Sequence, residues 1–336
     1  MDTLQTDKTK LTIGNLKFNS NVTLAPMAGV TDTALRQIIR LHSKDSLLVS
    51  EMLSSEALKM NTDKSILNHV KEEHPLAFQI AGHKPYLMAE GAKQIESIST
   101  LIDINMGCPV AKIVKNGDGS ALMTDLKLAS EIISSIKNSV SIPVTVKCRI
   151  GWDCNTKNHV EFAKMAEESG ADAITVHGRT RTQMYAGQAD WYSIAEVKNA
   201  VKIPVIANGD INSPQSAAEC LKISNADGVA IGRGILGDVS LMHRIDHYLK
   251  TGELIEEPDI LSKLEIALLH TNKEIELKGE LHGIKFMRKF YAWYIKSIKN
   301  AVKYRTALVR VEKLSEIYEI FEEIRIAQKA EEMTNS

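Results

Sequence analysis

One pattern limits the fold of this chain more than any other. A short β-branched or apolar segment closed by Gly, Pro or Asn recurs eight times between residues 22 and 231, with helix-period segments between and after. The strand-type segments are 22–28, 47–52, 76–81, 101–106, 143–148, 173–177, 204–207 and 227–231. Helical segments follow at 34–41, 86–98, 126–136, 159–168, 194–200, 215–223 and 239–250. Eight such units in about 230 residues match a (β/α)8 barrel, the TIM barrel, in number and in size. An open doubly wound sheet usually carries fewer strands at this length and stands as the minor alternative. From residue 256 onward no strand-type run returns, and 260–277, 283–302 and 311–327 have helical period. The chain therefore reads as a barrel over 1–250 and a smaller all-helical C-terminal domain over 258–330. Between them, residues 251–258 gather Gly252, Pro258 and three glutamates.

A barrel of this kind puts chemistry at the C-terminal ends of its strands. Polar and reactive residues do cluster there: Pro26-Met27-Ala28, Ser50-Glu51-Met52, Gln79, Asn105 to Cys108, Lys147 with Arg149, His177-Gly178-Arg179, Asn208-Gly209-Asp210 and Gly232-Arg233. The last two ends look like a phosphate cradle, in which glycines let backbone N–H groups approach an anion and Arg233 adds a bidentate cation. Two tight turns needing positive φ would use the same glycines. The run 232–237 also matches G-x-G-x-x-G, but a dinucleotide fold needs a βαβ unit continuing downstream, and no strand follows residue 250.

Alternation along 144–149 places Thr145, Lys147 and Arg149 on the inner side of the barrel. A lysine there can neutralise an electron-rich cofactor ring, form a Schiff base, or pair with a core carboxylate such as Asp103. Gln79 offers a donor and an acceptor suited to the edge of a heterocycle. His177 can hydrogen-bond a ring, act as acid or base, or fill the top of the core. Cys108 follows Gly107 just past a strand and precedes Pro109, a placement that presents a thiol, although a free cysteine also packs as a small hydrophobe.

Bulk properties narrow the setting. The net charge of −1 names no polyanionic partner by itself. The four cysteines lack zinc-ligand or disulfide spacing, so a reducing compartment and no metal are expected. No apolar run approaches the ~18 residues that span a bilayer, and residues 1–10 lack the apolar core of a signal peptide. The expectation is a cytoplasmic protein without a membrane contact. Charge is uneven, however: between 281 and 310 lie Lys285, Arg288, Lys289, Lys296, Lys299, Lys303, Arg305 and Arg310, with no acid among them, in a chain of 42 acids. Read as one helix, 283–302 puts Ile284, Met287, Tyr291, Ile295, Ile298 and Val302 on one face and Lys285, Lys289, Lys296, Lys299 and Lys303 on another. That stripe can face nucleic-acid phosphate, or it can be a solvated surface.

Together the motifs resemble one family. Residues Ala25-Pro-Met-Ala-Gly-Val-Thr-Asp32, Gln79-Ile-Ala-Gly82, Asp103-Ile-Asn-Met-Gly-Cys-Pro109, Val146-Lys147 with Gly151-Trp152, His177-Gly-Arg-Thr-Arg181 and Ala207-Asn-Gly-Asp-Ile211 are similar, in this order, to the tRNA-dihydrouridine synthases, most closely the bacterial B-type branch. The resemblance implies an FMN enzyme that reduces the C5=C6 bond of D-loop uridines in tRNA, with NADPH or NADH as reductant, and B-type likeness suggests position 17. It implies that Pro26, Met27, Ala28, Gln79 and Lys147 hold the flavin ring, with His177 near it. Asn208, Gly209, Asp210, Gly232 and Arg233 would hold the phosphate, and Cys108 would be the proton donor. Asn105, Arg179, Arg181, Lys285, Lys289, Lys296 and Lys299 are the expected tRNA contacts, and no obligate protein partner is implied. Competing readings are a dihydroorotate-dehydrogenase-like flavin barrel acting on a free pyrimidine, a Schiff-base lyase using Lys147, and a non-catalytic RNA-binding module.

Overall fold

The computed structural model describes residues 9–60 and 67–335; the polar residues 1–8 lie outside it. Eight parallel strands form one sheet: β3 (Val22–Leu24), β4 (Leu48–Ser54), β5 (Leu76–Ala81), β6 (Leu101–Met106), β7 (Val144–Arg149), β8 (Ala173–His177), β9 (Val205–Asn208) and β10 (Gly228–Ile231). Each strand pairs with the next in sequence, and β10 returns to β3. A parallel bridge between Thr23 and Leu47 joins β3 to the start of β4 and closes the ring. The protein is a TIM barrel, as the repeat predicts.

Ahead of it lies a feature not anticipated from sequence, the hairpin of β1 (Leu11–Ile13) and β2 (Leu16–Phe18). Its Leu11, Ile13 and Phe18 pack with Leu47, Val49, Ala77, Leu101, Ala173, Ile206 and Ala230 and plug the N-terminal end of the barrel. The signal was present: the apolar alternation Leu11, Ile13, Leu16, Phe18 around Gly14, whose φ is 56°.

Helices α1 (Thr33–His42), α2 (Ser55–Met60), α3 (Pro85–Ile95), α4 (Ala111–Lys115), α5 (Leu126–Lys137), α6 (His159–Glu168), α7 (Trp191–Ala200), α8 (Pro214–Ser224) and α9 (Leu241–Thr251) connect the strands. The larger core lies between the outer strand faces and these helices. Several helices start where a side chain takes up an unpaired N–H: Asp32 caps Leu35, Asp125 caps Leu128 and Asp190 caps Ser193.

After residues 253–259, which form no helix or strand, come α10 (Ile260–Lys278), α11 (Glu280–Tyr294), α12 (Ala301–Leu308) and α13 (Leu314–Asn335). The expected single helix over 283–302 is corrected here. It ends at Tyr294, turns through Asn300 at φ 58°, and restarts at Ala301. Ile284, Met287, Tyr291 and Ile295 are buried as the apolar face predicts, whereas Val302, beyond the turn, is 69% exposed. Among the described residues, no helix is long and apolar enough to cross a membrane.

Candidate active site

Register lays the inward side chains in layers. Gln79, Asp103 and Thr145 are partners across β5, β6 and β7; one step higher Asn105 pairs with Lys147; above them Arg149, His177 and Asn208 are neighbours on β7, β8 and β9. Because side chains two apart in a strand share a face, Asp103 and Asn105, and Thr145, Lys147 and Arg149, all point inward. Alternation read from the sequence thus places Lys147 correctly. The top layers open into a cleft of about 1260 Å³, lined by Pro26, Met27, Ala28, Gln79, Asn105, Cys108, Lys147, Arg149, His177, Tyr185, Asn208, Gly209, Asp210, Gly232 and Arg233. Its outer wall belongs to the helical region, through Trp293, Lys296 and Ser297.

The floor is a buried polar network. Asp103 accepts from Thr145 Oγ1 and Gln79 Nε2, both at 2.6 Å. Gln79 Oε1 accepts from Asn105 Nδ2 at 2.7 Å. Burial pushes the Asp103 carboxyl up to about 6, against the pull of these donors and of Lys147. Lys147 donates to Asn208 Oδ1 at 3.0 Å rather than to Asp103, so the alternative of a direct lysine–carboxylate pair is not what the fold builds. Burial, then the Arg149 charge, brings the Lys147 ammonium down to about 8. His177 is held well below its ordinary value by burial and by Lys147, Arg149, Arg179 and Arg233, and is therefore a neutral imidazole at neutral pH.

Cys108 sits on a clamped backbone. Its N–H donates to Asn105 Oδ1 at 2.9 Å, and its carbonyl accepts from Ser120 N at 3.1 Å and Ser120 Oγ at 2.9 Å. Arg149 Nε holds the preceding carbonyl of Gly107 at 2.9 Å. A Cβ at Gly107 would come within 3.1 Å of the Cys148 backbone, and one at Gly119 within 2.8 Å of the Cys108 carbonyl. The thiol itself is partly exposed and lines the cleft, as a presented cysteine should. Arg149, whose Nε and Nη1 hold the Gly107, Thr180 and Met184 carbonyls, was visible only as a strand-end charge; its inward register two residues after Lys147 was the signal for a structural role here.

At the opposite rim, Asn208 Nδ2 donates to the Ala230 carbonyl, and Asp210 turns at φ 58°. The Asp210 carboxylate is taken by Arg179 Nη2 at 2.7 and 2.8 Å and by Ala189 N at 2.7 Å, so an anion can meet only its backbone. Arg233 is half exposed, 3.6 Å from Asp210 and stacked 4.7 Å from the Tyr185 ring. A Cβ on Gly232 would meet nothing nearer than 3.9 Å, which leaves this backbone open to an approaching group.

The expected RNA contacts divide. Arg179 is 2% exposed and its donors hold Asp210 and the carbonyls of Ala186 and Gly187, so it braces the rim from behind. Arg181 stacks 4.7 Å from the Trp152 ring. Lys289 extends its ammonium to the Gly29 carbonyl, beside the 26–28 loop of the cleft. Lys299 and Lys303 lie across from Glu331 and Glu323 of α13. Lys285 is exposed, and Lys296 is exposed on the cleft wall.

Known proteins resemble this chain along most of its length. The family model described as dihydrouridine synthase matches residues 23–331. The "Probable tRNA-dihydrouridine synthase" of Rickettsia bellii is 45% identical over 300 residues, 88% of this chain and 92% of that protein. The "tRNA-dihydrouridine synthase B" of Pseudomonas aeruginosa is 40% identical over 303 residues, covering 89% and 91%, and its namesake in Xanthomonas axonopodis is 39% identical over 303 residues with the same coverage. The match runs from the first barrel strand into the last helix, so the chain belongs to the dihydrouridine synthase family, with the B-type branch among its relatives.

Proposed function

We propose that this protein reduces the C5=C6 bond of D-loop uridines in tRNA to 5,6-dihydrouridine, with FMN as its resident cofactor and NADPH or NADH as the source of electrons. The observation that carries the reading is convergence. Cys108 and all eleven residues expected to hold the flavin, scattered from position 26 to 233, line one cleft at the C-terminal strand ends.

The residues suit FMN. The open backbone at Gly232 and the half-exposed Arg233 form an anion site, with the Asn208–Asp210 turn beside it. Pro26, Met27 and Ala28 offer an apolar wall, and Gln79 and Lys147 a polar floor. When bound, FMN supplies the hydride that adds to uracil C6. Lys147, charged below about pH 8, would stabilise negative charge developing at the ring. Cys108 would give its thiol proton to C5, completing the reduction. The neutral His177 would donate or accept a hydrogen bond without adding charge. A paired or stacked base must leave the tRNA stack to reach this floor, and a cleft of about 1260 Å³ has room for a flipped nucleotide.

The test is formation of dihydrouridine in unmodified tRNA by FMN-loaded protein and NADPH. Cys108→Ala should lower that rate by about 10²–10⁴-fold, the usual share of a positioned acid, with FMN still bound. Turnover of free uridine or orotate in the absence of tRNA would overturn the reading.

A further inference from the structure

We propose that Asp103 is the positioning residue for Cys108, acting as the lower anchor of a buried hydrogen-bond chain that reaches the cysteine turn; the proposal rests on Cys108 being the proton donor.

The central point is amide orientation. A side-chain amide can present either end, so Gln79 and Asn105 need something to fix them. An ionised carboxylate only accepts, and Asp103, 4% exposed, takes Thr145 Oγ1 and Gln79 Nε2 at 2.6 Å each. With its nitrogen committed, Gln79 has only Oε1 to turn towards Asn105, whose Nδ2 donates to it at 2.7 Å. Asn105 must then turn Oδ1 the other way, onto the N–H groups of Gly107 at 3.2 Å and Cys108 at 2.9 Å. A carboxylate one layer below the reacting groups and the donor-only N–H groups of the cysteine turn thereby demand the same orientation of Gln79 and Asn105, and the carboxylate anchors it. Gln79 is wholly buried and Asn105 8% exposed, so a lost link leaves a polar group with little access to solvent.

The chain assigns Asn105 a second use beside any substrate contact. Both of its ends are engaged within the protein, leaving one N–H for the cleft. Neither Asp103 nor Thr145 touches the proposed reaction; they act through Gln79 and Asn105.

Asp103→Leu removes the anchor at similar volume, and Asp103→Asn keeps it: the Gly107 and Cys108 N–H donors still direct the chain from above, so the asparagine oxygen turns to accept from Gln79 while Thr145 Oγ1 rotates to accept from the new amide. Amide hydrogen exchange at Gly107 and Cys108, read on the flavin-free protein, should rise at least tenfold in Asp103→Leu and stay within about threefold of wild type in Asp103→Asn. For tRNA reduction, kcat should fall by about 10²-fold in Asp103→Leu with KM for tRNA unchanged, the mark of a displaced acid rather than lost binding. Gln79→Met cuts the same chain one link later and gives the same exchange result where Asp103→Leu does not fold. Wild-type exchange at Gly107 and Cys108 in either cut variant overturns the proposal, as does an Asp103→Asn protein no better than Asp103→Leu. Full activity of Cys108→Ala would instead remove the proton-donor reading, while the exchange data still decide whether the chain holds the turn.

Discussion

Arg179 illustrates how a residue type can be legible in the sequence while its partners are not. Its position after a barrel strand marked it as a cation for RNA, but a guanidinium with five donors is also the group best able to tie several acceptors together. Here it binds both Asp210 oxygens and the Ala186 and Gly187 carbonyls from a buried position. Breaking a buried pair costs up to about 3–5 kcal/mol, and the partly exposed Asp210 side chain places this case at the lower end. Arg179→Met should therefore lower the melting temperature by several degrees and weaken FMN binding, while the salt dependence of tRNA binding stays as in wild type. A changed salt slope with intact stability would return Arg179 to the RNA surface. At this scale period-two alternation was legible in the sequence, and it put Lys147 on the inner face and Cys108 beyond a strand end. Alternation did not reveal partners, because these depend on register between strands. Lys147 meets Asn208 and Asp103 meets Gln79 and Thr145 through the alignment of β5 to β9, which no single segment encodes.

Elements divided in the same way. The eight strands and seven of the helices α1–α9 announced themselves by periodicity and caps, whereas the short α2 and α4 did not, and the strand ends assembled the cleft as the topology demands. The lysine stripe failed as an element. Its helical wheel assumed one helix, but the chain breaks after Tyr294, and its acid-free character dissolves once α13 brings Glu323 and Glu331 across from Lys303 and Lys299. Lys289 is drawn off to the Gly29 carbonyl. Of the other stripe lysines, Lys285 on α11 and Lys296 on the cleft wall stay exposed without an ion pair among the described residues. Each phosphate contact adds about 0.7–0.9 to the slope of log affinity against log salt. The pair Lys285→Ala, Lys296→Ala should accordingly flatten that slope by about 1.5, whereas Lys299→Ala, Lys303→Ala should change it by less than half as much. Binding measured across a salt series separates the two.

At the scale of the whole molecule, the helical region is joined to the barrel by a charged cluster beside the cleft. Asp32, which caps α1, receives Lys278 at 2.7 Å, and Lys278 also bonds Glu274. Glu274 lies 3.6 Å from His270 Nε2, and His270 Nδ1 meets the Tyr294 hydroxyl at 3.1 Å; neither Glu274 nor His270 is exposed. The Lys278 ammonium balances the Asp32 anion, so the cluster reads as an ion-paired joint. Burial and the neighbouring Asp32 anion push Glu274 up to about 8, and burial brings His270 down to about 4. The folded pair thus carries one proton, on Glu274, through the neutral range. In the unfolded chain the glutamate loses its proton near 4.5 and the histidine near 6.5. Between these two values both states hold one proton and the pair adds no pH dependence. Above 6.5 the folded pair holds one proton more than the unfolded, so stability falls as pH rises, by about 1.4 kcal/mol per unit until the folded glutamate ionises near 8. The wild type should therefore lose up to about 2 kcal/mol between pH 6.5 and 8 from this pair. Glu274→Gln, fixed in the neutral form, should lose less over the same interval by a comparable amount, as read from urea midpoints at the two pH values. Parallel pH profiles for the two proteins would mean that the joint holds its proton equally in both states, and that the fold places no electrostatic strain where its helical region meets the barrel.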